Sequence, residues 1–442
     1  MLPFVNLYSK CTSLKCAAFL VLLRRMLTTA VVIFAAGSSA YGASPVLRTL
    51  HSFAGEPGDG ATPYGSLVLG AGNVLYGVTY SGGAGPCAGS SSGCGMAFSL
   101  APPTTPGGVW TETVLHTFTG ENDGAFPIGG LVMGSGGVLY GTTTRGGGTS
   151  NWGVIFSLTP PTSSGGAWTE AVLHDFTGGS DGGYPEASMA IGEGGLLYGT
   201  TMSGGTSLCG TVFSLTPPPS PGGSWIETVL HDFDCNGTYS PVPLGVTVGS
   251  TGVIYGVAGE GGTAAYGSVF ALKPPATPGG VWAYAVLHSF TGNDGGFLAG
   301  GLAVGRRGVL YGSAVFYGGS GGGTVFSLTP PKSSGGTWIE TVLYNFGAAN
   351  GAGPTGVVIG DGGVLYGVTQ TGGASGNGTV FSLTPPSSPG GAWTEAVLYS
   401  FTGARDGGFP QGCVAIGHEG LLYGTTAQDG SFGFGTTFVL KP

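Results

Sequence analysis

Residues 131–176 read LVMGSGGVLYGTTTRGGGTSNWGVIFSLTPPTSSGGAWTEAVLHDF. Four runs inside this stretch, Leu131 to Met133, Val138 to Thr143, Val154 to Leu158 and Trp168 to Phe176, are of strand length and rich in β-branched and aromatic residues. Gly134-Ser135-Gly136-Gly137 reads as a tight hairpin between the first two. A glycine-rich loop follows the second run, and Thr159-Pro160-Pro161-Thr162-Ser163-Ser164-Gly165-Gly166 separates the third from the fourth. No helical period of adequate length interrupts the pattern, so the unit predicts a four-stranded antiparallel sheet.

Working outward, the same phrase is written seven times between Ser44 and Pro442. Its marker, an aromatic-glycine pair after an apolar residue, places tyrosine at 76, 140, 198, 255, 311, 366 and 423, with spacings of 64, 58, 57, 56, 55 and 57. The Pro-Pro loop recurs six times and ends before Trp110, Trp168, Trp225, Trp282, Trp338 and Trp393. A fixed period of this size means an array of packed modules. Radial repetition of four-stranded sheets protects sheet edges and predicts an all-β, seven-bladed β-propeller over residues 44–442. The chain ends support closure: Val46 to Phe53 is a fourth-strand phrase, and Thr436 to Leu440 is a third-strand phrase. The N-terminal strand is therefore expected to complete the last blade. A parallel β-helix fits less well, because the unit has four distinct strand types.

The phrases LYGTT at Leu139 to Thr143 and at Leu197 to Thr201, with the matching GTVFSLTP at 210–217, resemble the GloVer-type tandem repeats of bacterial exported proteins. The likeness covers all seven units and runs parallel to kelch propellers, where a later Trp opens the outer strand. It implies an exported array with varied C-terminal anchors and carries no established activity. This chain stops at Pro442, straight after a strand phrase, which leaves a released or periplasmic protein as the expectation.

Composition bounds the function. The 94 Gly and 29 Pro would indicate low complexity, but 41% hydrophobic and 11% aromatic residues recur in register and supply faces to bury. Charged residues are 7% and the net charge is -9, without basic clusters, so nucleic acid is not an expected partner and no membrane-surface helix is present. Residues 1–43 differ in kind: two apolar stretches, Cys16 to Leu23 and Leu27 to Ala36, flank Arg24-Arg25 and lead into small residues. They read as a secretory signal peptide cleaved after Ala40 or Ala43, with a start at Met26 as the alternative. Neither stretch approaches a membrane span. Export makes disulfides an expectation. Cys87 and Cys94 share one loop; zinc there lacks further ligands. Strand parity brings Cys209 and Cys235 to one edge of a blade, and Cys413 has no evident partner.

Two repeated slots invite chemistry. His51, His116, His174, His231 and His288 share a fourth-strand position that Tyr344 and Tyr399 fill in the last copies. Histidines one per blade stand too far apart to share an ion, and tyrosine replaces shape and polarity rather than a zinc ligand, so the slot reads as structural. Glutamates recur nearby at Glu112, Glu170, Glu227, Glu340 and Glu395. By strict alternation Glu112 and His116 share a face about 13 Å apart along the strand, too far for an acid/base dyad within one blade. The loop into each blade carries Asp-Gly or Asn-Gly at Asp59, Asp123, Asp181, Asn236, Asp294, Asn350 and Asp406. These are good turn residues; calcium at the aspartates is the weaker alternative, with one carboxylate per loop.

Parity puts these loops and the variable glycine-rich loops at the same edge of each blade. Tyr80, Trp152, Tyr266, Phe316, Tyr317, Phe432 and Phe434 lie in or near them, and exposed aromatics among Asn, Ser and Gly suit stacking on sugar rings or docking a partner. No GxSxG elbow, HExxH, GxxxxGK[ST] or CxxC pair is present, and loose GxSxG matches within glycine-rich loops, as at 89–93 and 318–322, carry no weight. The expectation is an exported, non-catalytic, monomeric binding module for carbohydrate or a cell-surface protein, without cofactor. A structural matrix protein and a polysaccharide-active enzyme are the alternatives.

Overall fold

The computed structural model describes residues 45–442, other than 56–57, 85–86, 88–91, 106, 164, 221, 236–241, 278, 334 and 389. The signal-peptide reading and Asn236 lie outside the described residues. Seven four-stranded antiparallel sheets form the blades of a propeller. Blade 1 comprises Val68–Leu69, Leu75–Thr79, Met96–Ala101 and Thr111–Thr117. Blade 7 takes Ala415–Ile416, Leu422–Thr426 and Thr436–Lys441 from the C-terminal end and Val46–Ser52 from the N-terminal end. The ring is thus closed by the first strand pairing with the last, Val46 opposite Lys441 and Ser52 opposite Thr436.

The turn after six of the seven first strands is a single 3-10 turn. Ser135–Gly137 makes one 3-10 turn, with Gly136 at φ +69°. At the opposite edge, the residues before the first strand pair with the end of the second, as isolated bridges such as Ala125 with Arg145 or as continuous strands such as Gly296–Val304.

Blade-to-blade packing explains the repeated phrases. A phenylalanine just past each outer strand meets a phenylalanine in the third strand of the next blade: Phe118 with Phe156 at 5.0 Å, Phe176 with Phe213 at 5.4 Å, and Phe53 with Phe98 at 5.1 Å across the closure. All seven interfaces carry such a pair, edge-on or tilted as aromatic quadrupoles prefer. The ring of the third-strand phenylalanine lies on the glycine of the Tyr-Gly pair: a Cβ on Gly77 would stand 2.7 Å from Phe98 Cζ. The marker tyrosine turns the other way, and Tyr76 meets Trp168 of the following blade at 5.7 Å. The repeated phenylalanines, tyrosine and tryptophan are therefore halves of contacts between blades.

Each outer strand also carries a bulge. In blade 1 Ala97 pairs with His116 and Phe98 with Val114, leaving Leu115 as the extra residue, and the same shift recurs in the other outer strands. This corrects the strict alternation assumed for Glu112 and His116. Glu112 pairs with Leu100 and so shares the face of Phe98 and Leu100, which pack on Phe53 of blade 7, whereas His116 is opposite Ala97, on the face turned to blade 2.

Phe53 is fully buried at the closure, so Phe53→Ala is expected to destabilise the protein by about 3–5 kcal/mol in denaturant unfolding. Val109→Ala, at a site 81% exposed, is expected to change stability by less than about 0.5 kcal/mol. Equal effects would mean that the N-terminal strand does not hold the ring.

Candidate functional site

Segments at or just before the first strands of all seven blades line a cavity of about 390 Å³. It lies at the edge of the blades reached by the Asp-Gly loops and by the ends of the second strands. One side chain per blade leads into it: Tyr64, Ile128, Glu186, Leu244, Ala299, Thr355 and Gln411. In six blades this residue or its equivalent follows a proline: Pro63, Pro127, Pro185, Pro243, Pro354 or Pro410. The slot differs in every blade although the flanking prolines and glycines repeat.

Below the slot, glycine backbones pack against one another. A Cβ on Gly65 would stand 2.9 Å from Gly130 Cα, and one on Gly412 would stand 2.7 Å from Ser66 N. Hydrogen bonds tie these turns across blades: Gly130 N–H donates to Ser188 Oγ at 2.7 Å, and Thr425 Oγ1 donates to Gly65 O at 3.3 Å. The wall is thus a rigid ring of backbone, with the variable side chains mounted on it.

The chemistry around the ring is uneven. Blade 1 contributes Tyr64 and Tyr80, whose rings stand 5.5 Å apart, with Phe126 behind Tyr80 at 5.0 Å. Together with Ile128 and Gln411 these tyrosines wall an outer recess of about 480 Å³. Blades 6 and 7 contribute Gln370 and Gln411, and Gln370 Nε2 donates to Gln411 Oε1 at 2.9 Å. Blade 3 contributes Glu186, whose carboxyl is raised above its ordinary range by burial, against the opposing pull of Arg145. Arg145 itself lies over the Tyr184 ring at 5.1 Å. Cys413, half-buried, also lines the cavity, and burial pushes its thiol up to about 11.

The loop aromatics are not gathered into one groove. Tyr80 lines the outer recess. Trp152 instead packs on Tyr184 at 4.5 Å and over Gly178 and Gly183. Tyr266 meets Tyr317 edge-on at 4.9 Å, and Phe297 lies near both Phe316 and Tyr317, so these four rings form a patch between blades 4 and 5. Phe316 and Tyr317 remain exposed there, and Phe432 and Phe434 are exposed in blade 7, with Phe434 over Gly55. Tyr64, Glu186, Gln370 and Gln411 are not among the loop aromatics singled out by the sequence. The signal that locates three of them is the change of residue type straight after a repeated proline.

The paired cysteines stand as expected, with Cys87 bonded to Cys94 and Cys209 to Cys235 at Cα separations of 5.0 and 5.8 Å. The aspartates of the entering loops close turns. Asp123 accepts from Thr119 N–H and Oγ1, and Asp181 and Asp406 repeat this with Thr177 and Thr402. The histidine of the preceding outer strand stands beside the same carboxylate, His116 Nε2 at 3.1 Å from Asp123 and His288 Nε2 at 2.8 Å from Asp294. Because of the bulge, the glutamate of the next blade turns toward this pair: His51 Nε2 is 3.9 Å from Glu112 Oε1. His and Glu therefore meet between blades although they cannot meet within one. Tyr344 keeps the arrangement in another form, with Asn350 and Glu395 as its partners, and His231 instead stacks on Tyr284 at 4.0 Å.

Burial first, and then the charge of Asp181, pushes the Glu227 carboxyl up to about 7. A carboxyl raised in the folded state holds its proton more tightly there than in the unfolded chain. Its contribution is favourable at acid pH and is lost as pH rises from about 4.5 through about 7. The midpoint of thermal unfolding is expected to fall between pH 5 and 8, and Glu227→Gln is expected to reduce that fall. Identical pH profiles for the two proteins would contradict the assignment.

No curated protein resembles the chain closely enough to match. Among solved structures, it is similar to the PQQ-bound aldose sugar dehydrogenase of Streptomyces coelicolor, at 12% identity and a TM-score of 0.45, covering 90% of this chain and 99% of that one. It is also similar to a gluconolactonase of Xanthomonas campestris, at 14% identity and a TM-score of 0.40, covering 69% and 82%. Residues 86–281 and 243–442 match the Gloeobacter/Verrucomicrobia repeat, and with seven such units closed into one ring the chain belongs to that repeat family.

Proposed function

We propose that the protein is an exported, non-catalytic binding module that takes a carbohydrate in its axial cavity. The observation that carries this reading is the combination of Tyr64 and Tyr80 with Gln411 in one recess, next to Gln370 and Glu186. Apolar sugar faces stack on aromatic rings, while hydroxyl groups pair with amides and carboxylates that both donate and accept. The rigid glycine wall holds these groups in place before a ligand arrives, which reduces the ordering cost of binding. The two disulfides support export to an oxidising compartment.

Glu186 is the one carboxylate among the described residues lining the cavity. Hydrolysis of a glycosidic bond ordinarily uses two carboxyl groups flanking the bond. In this reading Glu186 therefore orients a hydroxyl or amino substituent.

The purified full chain, incubated with a panel of polysaccharides, is expected to be retained by at least one of them without producing new reducing ends. Tyr80→Ala and Gln411→Ala should each lower retention about 10-fold or more, the loss of about 1.4 kcal/mol or more of stacking or hydrogen bonding, with unfolding midpoints near that of the parent. Phe432→Ala should retain as the parent does. Retention unaffected by both cavity variants would place binding elsewhere, and new reducing ends would make the protein an enzyme.

A further inference from the structure

At the rim, two of the interfaces between blades bring a histidine and two carboxylates together from separate segments. These are His51 and Asp59 with Glu112, across the ring closure, and His288 and Asp294 with Glu340, between blades 4 and 5. In each trio one atom per residue lies within 4.8 Å of the other two. His51 Nε2 stands 3.4 Å from Asp59 Oδ1 and 3.9 Å from Glu112 Oε1, and His288 Nε2 stands 2.8 Å from Asp294 Oδ2. Donors around a tetrahedral zinc ion stand about 3.4 Å apart, given metal-ligand bonds of about 2.0–2.2 Å.

A second observation points the same way. Glu112 Oε1 and Glu340 Oε1 are shielded from solvent and have no hydrogen-bond partner; Glu170, Glu227 and Glu395 share this in the same register, and what distinguishes the two trios is the mutual approach of all three ligand atoms. A carboxylate oxygen without water or a donor is costly, and a cation between it and the imidazole would remove that cost. The side chains of the closure trio are 17–20% exposed, which leaves access for an ion and a water as fourth ligand. The repeats also show where such a set is incomplete: Tyr344 and Asn350 meet Glu395 by hydrogen bonds alone, and Leu47 holds the glutamate register of blade 7's outer strand, next to the pair of Tyr399 with Asp406.

We infer that the His51–Asp59–Glu112 and His288–Asp294–Glu340 trios are divalent-metal sites of the zinc type, in which one nitrogen and two oxygen ligands join neighbouring blades. Imidazole with carboxylates suits zinc and its cobalt substitute better than calcium, which asks for six or more oxygens. The first site would pin the strand that closes the ring; the second would pin an interface inside it.

The test uses the full, tag-free chain, stripped of metal and titrated with Co²⁺ and separately with Zn²⁺. Two equivalents of Co²⁺ with the visible absorption of a four-coordinate ion, lacking thiolate charge transfer, are expected per chain, and Zn²⁺ should raise the unfolding midpoint. Glu112→Gln and Glu340→Gln should each remove one equivalent, and the double variant should bind none and lose the Zn²⁺ shift. His51→Gln and His288→Gln provide a second pair should a glutamate variant fold poorly. Absence of retained metal in the parent, or two equivalents still bound by the double variant, would overturn the inference and leave the trios as proton-sharing contacts between blades.

Discussion

The ring depends on one repeated contact, the phenylalanine at the end of an outer strand set against the third-strand phenylalanine of the next blade. It requires a glycine beneath the second ring, as at Gly77 under Phe98, and so it fixes the Tyr-Gly pair. It is made seven times, including across the closure, where Phe53 comes from the opposite end of the chain. A single blade has no partner for either phenylalanine. Stability is therefore shared around the ring in the manner of repeat proteins, where nearest-neighbour interfaces carry what a single unit cannot.

That constraint also explains where variation is permitted. The third strands are buried on both faces, and their sequence hardly changes. The residue leading into the axis has no equivalent neighbour to match, because the turns below it are already held by glycine contacts and hydrogen bonds between blades. Seven different side chains are thereby presented to one cavity on a common backbone. Tyr64, with Tyr80 in the adjoining recess, stands on one side of it and the amides of Gln370 and Gln411 beside them, which gives the ring a chemical direction that its near-symmetric backbone lacks.

The architecture was legible in the sequence because strand length, turn residues and period are local properties. The N-terminal Val46 to Phe53 phrase even announced closure. What was not legible arises from geometry between units. The bulge at Leu115 reverses the expected relation of Glu112 and His116, and no residue type marks a bulge of this kind in advance. The contact of His51 with Glu112 joins residues 61 positions apart through that reversal. Loop aromatics were the natural place to look for a ligand, yet Trp152 and Tyr266 cover glycines of neighbouring turns. The polar residues of the cavity are individually ordinary, and only their convergence on the axis sets them apart.

The most direct measurement of the central claim is a crystal structure of the protein with an oligosaccharide drawn from a polysaccharide that retains it. Sugar density is expected in the axial cavity and its outer recess, with one ring stacked on Tyr64 or Tyr80 and a hydroxyl within hydrogen-bond distance of Gln411. Density confined to the exposed patch at Phe316 and Tyr317 or to Phe432, with an empty cavity, would contradict it.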